Sequence, residues 1–578
     1  MATEWQIAAF DETQVRRLHR EAGVHPLVAQ LLLNRGIRDA SAARSFLSVR
    51  RDGLLDPSLL PGAVEAAERI VRAIRQQRKI VIFGDYDVDG VCGTSLLWNC
   101  LRLAGASRLD YYIPHRVDEG YGLNAEALEK LRREQGAELV VTVDCGVSAV
   151  AEAELARQLG LELIITDHHT PGPDWPRADV VVHPQSPRGS YPFPDLCGAG
   201  VAFKLAWQIC KSFGDGKKAS PHLRDFLVEA INLVALATVA DVVPLERENR
   251  IFVKHGLTGL AREPSIGLRA LLDVSQCRES RRLSTGTIGF GLAPRINAAG
   301  RMDRACLAVE LLTTTDPEHA RRLAEQLEAN NRYRQEIERT IVAEAREQVE
   351  AGASVAERGG IVVGRAGWHP GVIGIVASRL VDHYHRPTVV LSLGGEVGQG
   401  SARSIPGFDL YAALTACRSS LLVYGGHRAA AGLKLDPARL GEFAERFDAH
   451  CLATLTPEQR RRVLRIDAET RLADFTPELV RAIEDFEPYG LGNPRPVFLT
   501  QPIRLVEPPR VIGETKAHLS LRIEQGGKIY RAVAWSKAES WSDLQARTDY
   551  AVVFEPMLQA WNGRESVEFT LRDLRPLS

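Results

Sequence analysis

Three aspartates at alternating positions follow a short apolar run near residue 80. The run Ile80–Phe83 contains β-branched residues and ends at Gly84, which is typical of a buried strand, and Asp85, Asp87 and Asp89 come next. Carboxylates this close repel one another unless a cation neutralises them. Hard divalent metals bind to oxygen ligands of this kind. The alternative is a polar turn that only caps the following helix.

Other predicted strand ends carry groups that can bind metals. Asp144 and the segment Asp167–His169 each follow an apolar run, and a fourth carboxylate, Asp241, ends a long apolar helix. Open α/β sheets gather their ligands at the carboxyl ends of the strands. A single residue of this set can be a cap or a satisfied loop residue. Together, ionised groups at an apolar sheet edge indicate a bound metal.

The ligand types favour two divalent ions, Mn²⁺ or Mg²⁺. Aspartate suits both ions, and imidazole favours Mn²⁺ over Mg²⁺. Two ions about 3.5–4 Å apart suit the hydrolysis of phosphate esters, with one bridging carboxylate and a shared water as nucleophile.

The elements that must position these groups alternate in type. Helices are predicted at 63–76, 92–104, 124–134 and 149–159, and strands at 80–83, 109–113, 139–143, 163–166 and 180–182. Strands separated by helices of this length predict a parallel sheet with right-handed crossovers. Helices then dominate to about residue 312.

Beyond this region the pattern changes twice. A helix from 317 to about 350 has few apolar positions, which indicates a connector between domains, and a smaller α/β unit follows it. The last part alternates in polarity around Gly526-Gly527 and Asn562-Gly563, which are hairpin signals. Such an antiparallel barrel suits an OB-type fold, which often carries single-stranded nucleic acid. A β-module without a binding function is the alternative.

We therefore predict an α/β protein in which a parallel-sheet domain is joined by a long helix to a smaller α/β domain, with a C-terminal OB-type β-barrel. The predicted divisions are an N-terminal helical extension at 1–55, the metal-binding domain at 56–312, the connecting helix at 313–352, the smaller domain at 353–455 and the barrel at 460–578.

Composition narrows the class of protein. The 578 residues are 45% hydrophobic and 25% charged with a net charge of -1, so any nucleic-acid surface must be a local patch. Nine cysteines without a C-x-x-C pair indicate the reduced thiols of a cytoplasmic protein. The N-terminus lacks the pattern of a signal peptide. The apolar segment Phe226–Val243 contains acidic residues, so we expect a buried helix and no membrane contact.

Four segments resemble the motifs of the DHH phosphoesterases; in chain order they are GDYDVDG, VDCG, TDHH and ATVADVVPL. Further segments are similar to the single-stranded-DNA-specific exonucleases of that family, including PHRVDEGYGLN, APRINAAGRM, SARS and GGHRAAAG. The resemblance implies a DHH domain, a connecting helix, a DHH-associated domain and an OB fold. It also implies 5′→3′ degradation of single-stranded DNA to 5′-mononucleotides, in DNA repair and recombination.

The resemblance also assigns roles to individual residues. The implied metal ligands are Asp85, Asp87, Asp89, Asp144, His168 and Asp241. Asp144 is expected to bridge the two ions, and His169 to contact the scissile phosphate or the leaving oxygen. The alternative for His169 is to orient a ligand through a hydrogen bond.

A second set of residues is expected to hold the DNA: Arg116, Tyr121, Arg295, Arg301, Ser401, Arg403, Gly425, Gly426 and His427. A guanidinium can bind phosphate bidentately, and a Gly-Gly-His turn exposes backbone N–H groups. The first four residues can instead be structural, and His427 can be a packed core histidine. We expect Arg403, Ser401 and one arginine of the first domain to hold the terminal 5′-phosphate.

Three other functions are compatible with parts of the sequence. One is a DHH enzyme that acts on small substrates. Another is a non-catalytic DNA-binding scaffold, but the four intact motifs argue against this function. The third is a haloacid-dehalogenase phosphatase with Asp85 as covalent nucleophile, which leaves Asp144 and His168 unexplained. The resemblance further implies a single-stranded-DNA-binding protein and a RecQ-type helicase as partners, and we expect a monomer.

Overall fold

The computed structural model describes residues 3–116, 118–277, 282–352, 354–561 and 564–577. The chain forms two compact units. One contains residues 1–50 and 462–578, and the other contains residues 51–461. The described helices include none whose length and apolar character would let it cross a membrane.

The first unit begins with a strand and three helices: β1 (Glu4–Ile7), α1 (Glu12–Ala22), α2 (Pro26–Asn34) and α3 (Ala40–Leu47). These helices share a hydrophobic core with the C-terminal part of the chain. Phe46 of α3, for example, packs edge-on against Phe486 with ring centroids 5.4 Å apart. The segment that the sequence predicts as an extension therefore contributes to the core of this unit.

The second unit starts with alternating helices and strands and then becomes helical. Its first elements are α4 (Ala63–Arg75), β2 (Ile80–Gly84), α5 (Val88–Leu103), β3 (Leu109–Tyr112), α6 (Ala125–Arg133), β4 (Leu139–Val143), α7 (Val150–Gln158), β5 (Glu162–Thr166) and β6 (Val180–Val182). The helices that follow are α8 (Gly198–Ser212), α9 (Pro221–Ala240), α10 (Arg247–Arg262), α11 (Ile266–Val274), α12 (Ala293–Met302), α13 (Cys306–Thr313) and α14 (Pro317–Glu350). The five strands form a parallel sheet, as predicted.

The strand order of this sheet is β3-β2-β4-β5-β6. From β2 the chain crosses to β3 at the edge and then returns past β2 to β4, so the order reverses between β2 and β4. Ile80 and Ile82 face one core while Val81 and Phe83 face the other, which explains the continuous apolar run. Ligands of open α/β sheets bind where the order reverses, which is where the acidic residues after β2 and β4 lie.

Helix α5 starts at Val88 and not at Cys92 as predicted. The Asp87 carboxylate accepts the backbone N–H groups of Asp89 and Gly90 at 2.9 and 3.2 Å and caps the helix. Asp89 therefore lies in the first helical turn, where the positive end of the helix dipole favours a carboxylate.

The predicted connector is the 34-residue helix α14. One side of it is buried, including Leu323, Leu327 and Ile341, so it is packed along its length more extensively than its composition indicates. The elements after it are β7 (Ile361–Arg365), α15 (Ile373–Tyr384), β8 (Thr388–Ser392), β9 (Gly398–Arg403), α16 (Leu410–Ala416), β10 (Val423–Gly426), β11 (Ala430–Leu435) and α17 (Leu440–Thr454). They form a mixed sheet of order β10-β11-β9-β8-β7.

The C-terminal part returns to the first unit and is mainly strand. It contains β12 (Val463–Ile466), β13 (Ala468–Glu469), α18 (Pro477–Glu484), β14 (Phe498–Leu505), β15 (Arg510–Ile512), β16 (His518–Gln525), β17 (Lys528–Ala534), β18 (Asp549–Trp561) and β19 (Arg564–Pro576). The hairpin predicted at Gly526-Gly527 joins β16 to β17. The predicted turn Asn562-Gly563 lies outside the described residues, but the strands on either side of it pair antiparallel. Pairing of β14 with both β18 and β16 closes a barrel, as the sequence predicts. The barrel is mixed and not antiparallel throughout, because β17 pairs parallel with β19.

Candidate metal centre and anion site

Asp89 is held by the N-terminus of helix α8. The backbone N–H groups of Gly198 and Ala199 donate to its two carboxylate oxygens at 2.6 and 2.7 Å. The carboxylate is 2% exposed. Two backbone hydrogen bonds and a helix N-terminus therefore stabilise a buried negative charge at this place.

Asp144 directly follows β4 and is also 2% exposed. Its backbone is left-handed, with φ of 65°, and its N–H donates to the Thr166 carbonyl at 3.0 Å. A non-glycine residue seldom adopts this conformation, although aspartate tolerates it better than most. The strained turn is what directs the carboxylate toward the residues that follow β2 and β5.

Three groups of potential ligand atoms lie side by side at this edge of the sheet, and in each group the ligand atoms are within 4.8 Å of one another. Asp89, His168 and Asp241 form the first group, and Asp85, Asp87 and Asp144 form the second. The third group contains Asp144, His168 and His169 and so joins the first two, and His168 Nε2 lies 3.2 Å from Asp144 Oδ1. All six predicted ligands are thus brought together.

Burial and mutual repulsion disfavour the ionised forms of these carboxylates, which a bound cation would stabilise. Burial, followed by repulsion from Asp89 and other neighbours, raises the pKa of Asp144 well above its usual range. Burial and the charge of Asp87 do the same to the pKa of Asp85, and burial and Asp89 raise the pKa of Asp241 to about 8. Within the described part of the chain, Asp85 Oδ1, Asp144 Oδ1 and His168 Nε2 are buried and make no hydrogen bond. Buried polar atoms that make no hydrogen bond suit a bound cation.

His169 has a different environment from its neighbour His168. Its Nδ1 lies 2.8 Å from Asp167 Oδ1, and Asp167 also accepts the Val147 N–H at 2.9 Å. Burial opposes protonation of His169, but the hydrogen bond and the charge of Asp167 outweigh it and raise the pKa of His169 to about 9. The Tyr121 hydroxyl lies 3.2 Å from the same ring nitrogen and donates to the Asp144 carbonyl. His169 and Tyr121 therefore border the metal ligands.

Arginines form a second, positively charged cluster near the carboxylates. Burial, followed by repulsion from Arg116 and Arg403, lowers the pKa of Arg301 to about 9. Arg301 donates to the Gly371 carbonyl at 2.8 Å, and Arg403 donates to Ser401 Oγ at 3.1 Å. Among the described residues, no carboxylate lies within ion-pair distance of Arg301 or Arg403. Two half-buried guanidinium groups without a counter-ion indicate an anion site.

Helix α15 adds its N-terminus to this cluster. A Cβ placed at Gly374, in the first turn of α15, would lie 2.9 Å from Ser401 Oγ and 3.1 Å from Arg403 Nη2. The glycine thus lets the helix end approach the two side chains closely, and helix N-termini favour anions. Arg116 lies with its guanidinium 4.6 Å from the centre of the Tyr86 ring, and its charge acts on both Asp85 and Arg301. The anion site therefore adjoins the metal ligands.

Not every predicted DNA-contact residue joins this cluster. Arg295 is in an ion pair with Glu328 of α14 at 2.6 Å, which is the structural role given above as its alternative. Gly425 and Gly426 belong to the edge strand β10 and not to an open turn, and the His427 N–H donates to the Ala430 carbonyl. His427 is exposed, so it is not a core histidine. Phosphate contact by these three residues stays a prediction.

Three residues support the site in ways that the sequence analysis did not predict. Asp167 fixes the His169 ring, as described above. Asn297 of α12 accepts the Val88 N–H at 3.2 Å and so helps to hold the start of α5. Tyr86 forms the surface on which Arg116 lies. Asp167 and Tyr86 are inside motifs that the sequence analysis quoted, but only the folded geometry gives them these contacts.

Three family models match the chain. They are described as the DHH family N-terminal domain, over residues 79–238, the DHHA1 domain, over 357–451, and the RecJ OB domain, over 466–573. These matches confirm the predicted fold class.

Relatives match nearly the whole chain. It is 38% identical over 576 residues to the single-stranded-DNA-specific exonuclease RecJ of Bacillus subtilis, in an alignment that covers 98% of this chain and 70% of the relative. Two crystal structures of RecJ from Thermus thermophilus each cover 100% of this chain. The one in complex with Mn²⁺ has a TM-score of 0.82 and 31% identity over 80% of its own chain. The one in complex with Mg²⁺ has a TM-score of 0.75 and 29% identity over 79% of its own chain. The chain therefore belongs to the RecJ family of DHH proteins.

Proposed function

We propose that this chain is a metal-dependent exonuclease that degrades single-stranded DNA. The observation that carries the proposal is the adjacency of two clusters of opposite charge, the carboxylates around Asp144 and the arginines around Arg301. Divalent cations together with a phosphodiester backbone satisfy both clusters. The activity for which the Bacillus subtilis relative is named supports the same function.

The buried donor atoms fit two divalent ions. We infer that Asp89, His168 and Asp241 hold one ion, and that Asp85, Asp87 and Asp144 hold the other. Asp144 contacts both groups and is the candidate bridge. Carboxylates suit Mn²⁺ and Mg²⁺, and the imidazole favours Mn²⁺. Two such ions, when bound, supply activated water and positive charge for the transition state of phosphodiester hydrolysis.

The surrounding residues position the substrate and its protons. Asp167 holds the His169 ring through Nδ1, so the ring has a fixed orientation beside Asp144. From there His169 can donate to a phosphate oxygen or protonate the leaving oxygen. The Tyr121 hydroxyl contacts both the ring and the Asp144 backbone, and so helps to define the same side of the cleft.

The anion site accounts for attack at a 5′-end. We infer that Arg403, Ser401 and Arg301 bind the terminal 5′-phosphate, since the two arginines lack carboxylate partners among the described residues. The metal ligands would then meet the next phosphodiester along the strand. Hydrolysis at that position releases a 5′-mononucleotide and exposes a new 5′-phosphate, which gives 5′→3′ polarity.

Replacing Arg403 with alanine is expected to remove the preference for 5′-phosphorylated over 5′-hydroxyl oligonucleotides. Charged hydrogen bonds to phosphate contribute enough free energy that the rate on the phosphorylated strand should fall about 10- to 100-fold. Parallel kinetics on the two oligonucleotides measure this. The matched control is Arg446→Ala, which removes an exposed arginine paired with Glu442 in α17 and should leave the preference unchanged. An Arg403→Ala enzyme that kept the wild-type preference would contradict the assignment.

Metal dependence and polarity are tested together by a time course on 5′- and 3′-labelled single-stranded and duplex DNA. We expect complete loss of activity in EDTA, recovery with Mn²⁺ or Mg²⁺, and mononucleotides released from the 5′-end of single strands. Equal digestion from both ends, or activity that persists in EDTA, would refute the proposed function. Weak activity on long strands with rapid cleavage of dinucleotides would instead favour a small-substrate DHH enzyme.

The structure bears on the phosphatase alternative through Asp85. A covalent nucleophile must be reached by the substrate, but Asp85 is 2% exposed and shares its group with Asp87 and Asp144. This geometry favours a ligand over a nucleophile. Substantial activity in an Asp85→Asn variant would also argue against a covalent role.

The remaining features of the proposal come from the sequence analysis and, for the process and the protein partners, from the family resemblance. We propose the domain division given in the sequence analysis, with DNA repair and recombination as the process and the cytoplasm as the compartment. We also propose that the enzyme is a monomer that works with a single-stranded-DNA-binding protein and a RecQ-type helicase. Co-purification from cells, followed by analytical ultracentrifugation of the isolated chain, tests the partners and the oligomeric state.

A further inference from the structure

Phe290 is the most exposed of the large hydrophobic side chains that the structure describes, with 86% of its surface accessible. It lies in the π-helical turn Thr287–Leu292, directly before α12. Scattered exposed hydrophobic residues are common and need no explanation. Turns of π-helix, however, occur frequently at functional sites, so the location of this ring decides whether it has a role.

The turn that carries Phe290 packs against the end of α9, close to a candidate metal ligand. A Cβ at Gly289 would lie 4.0 Å from Val239 Cγ1, and Val239 is two residues before Asp241. On the other side of Asp241, Val242 is 62% exposed and has φ of 57°. A β-branched residue at positive φ is a true outlier. Val242 is thus an exposed apolar residue next to a candidate metal ligand, and Phe290 is an exposed apolar residue in the turn that packs against the same helix end.

The same segment leads to the anion site. Helix α12 follows Phe290 directly and carries Arg301, whose guanidinium lies in the arginine cluster. One continuous segment therefore joins the exposed ring of Phe290, at the start of α12, to the arginine cluster at its end. Continuity with both sites favours a nucleotide as the ligand of this ring over an unrelated protein surface.

We propose that Phe290 stacks on a base of the DNA strand as it crosses the metal centre, and so contributes to single-strand specificity. The inference rests on the proposed nuclease function and adds a base contact to it. Every base has a π-face, so stacking on an aromatic side chain tolerates any sequence. In a duplex those faces are covered by neighbouring base pairs, whereas an unpaired strand can present them.

The test compares Phe290→Ala, Phe290→Trp and Phe290→Tyr on 5′-phosphorylated oligothymidylate with Mn²⁺. Loss of one base stack should raise KM about tenfold, while kcat should change little and the aromatic replacements should restore KM. A second series places one abasic nucleotide at successive positions from the 5′-end. The wild-type enzyme should slow when the abasic nucleotide reaches the stacking position, and Phe290→Ala should lose this position dependence.

The control variant is Phe10→Ala, which removes another strongly exposed phenylalanine, 68% accessible, from the other unit. It should match the wild type in both series. A wild-type KM and a wild-type abasic profile for Phe290→Ala would overturn the proposal. So would a defect that the aromatic replacements fail to rescue or that does not depend on the base, because either would assign the ring to a protein contact.

Binding without catalysis separates this inference from the proposed function. The affinity for a fluorescein-labelled oligothymidylate is measured by anisotropy in EDTA. Weaker binding by Phe290→Ala than by Phe290→Trp would support stacking even if the chain degraded no DNA, and equal binding would refute it. Absence of degradation by the wild type would count only against the nuclease function.

Discussion

Replacing Asp144 with asparagine is expected to reduce the rate of DNA hydrolysis by about 10³-fold or more, because a bound metal supplies several kcal/mol of charge stabilisation. The side chain keeps its size but loses the charge that faces both ligand groups. Binding of Mn²⁺ should weaken with it, so the rise in melting temperature that Mn²⁺ gives the wild type should largely disappear.

In Mn²⁺ the Asp144→Asn substitution should lower the melting temperature relative to the wild type. Without metal it should leave the stability unchanged or raise it. Burial and neighbouring carboxylates raise the pKa of Asp144 well above its usual range. A carboxyl whose pKa is raised by folding destabilises the folded protein at neutral pH, where the group would otherwise ionise. The neutral amide removes that repulsion. In EDTA, the variant should therefore melt at the same temperature as the wild type or higher.

Differential scanning calorimetry in EDTA and in Mn²⁺, with single-turnover hydrolysis, measures the three effects. The matched control is Asp225→Asn, which removes an exposed carboxylate from α9 and should change none of them. A lower melting temperature in EDTA would mean that Asp144 has a structural partner. Retained hydrolysis would show that the bridging carboxylate is not needed.

The parallel sheet and the clustering of acidic and histidine side chains at its edge could be predicted because their signals are local. The run Ile80–Phe83 is apolar throughout because its side chains face two cores, and Asp85 and Asp144 come directly after such strands. The start of α5 was harder to predict. Gly90 weakens the helical pattern there, and the cap at Asp87 compensates only through hydrogen bonds that the folded chain forms.

The meeting of the arginines in the anion site cannot be derived from local sequence patterns. Arg301 and Arg403 are far apart in sequence and meet only because α12 and β9 belong to one folded unit. Arg295 is in the same helix as Arg301 and the same motif, yet it faces Glu328 of α14. The two arginines have the same chemistry and differ only in the side of the helix on which they lie. Packing between distant segments decides which side of α12 faces the anion site. The residues next to either arginine in the sequence do not reveal that packing.

Gly198 in α8 allows a test of how the candidate metal ligands are positioned. A Cβ at Gly198 would lie 2.5 Å from Asp144 Oδ1 and 2.6 Å from Asp144 Cβ. Gly198→Ala must therefore shift either the Asp144 side chain or the start of α8. A shift of the helix would in turn disturb the N–H groups that hold Asp89. Either shift displaces a candidate metal ligand, although the substitution replaces none of the ligand residues themselves.

We expect Gly198→Ala to lower the hydrolysis rate by about 10²-fold, since misplacement of catalytic groups by about 1 Å can cost that much. Gly200→Ala, in the same helix, is the matched control. Its Cβ would meet its nearest neighbours at 3.4–3.7 Å, which is ordinary contact, and alanine favours the helix by about 1 kcal/mol over glycine. That variant should keep the wild-type rate and melt at the same temperature or slightly higher. If Gly198→Ala were as active as Gly200→Ala, the close approach of α8 to Asp144 would not be what positions the metal ligands.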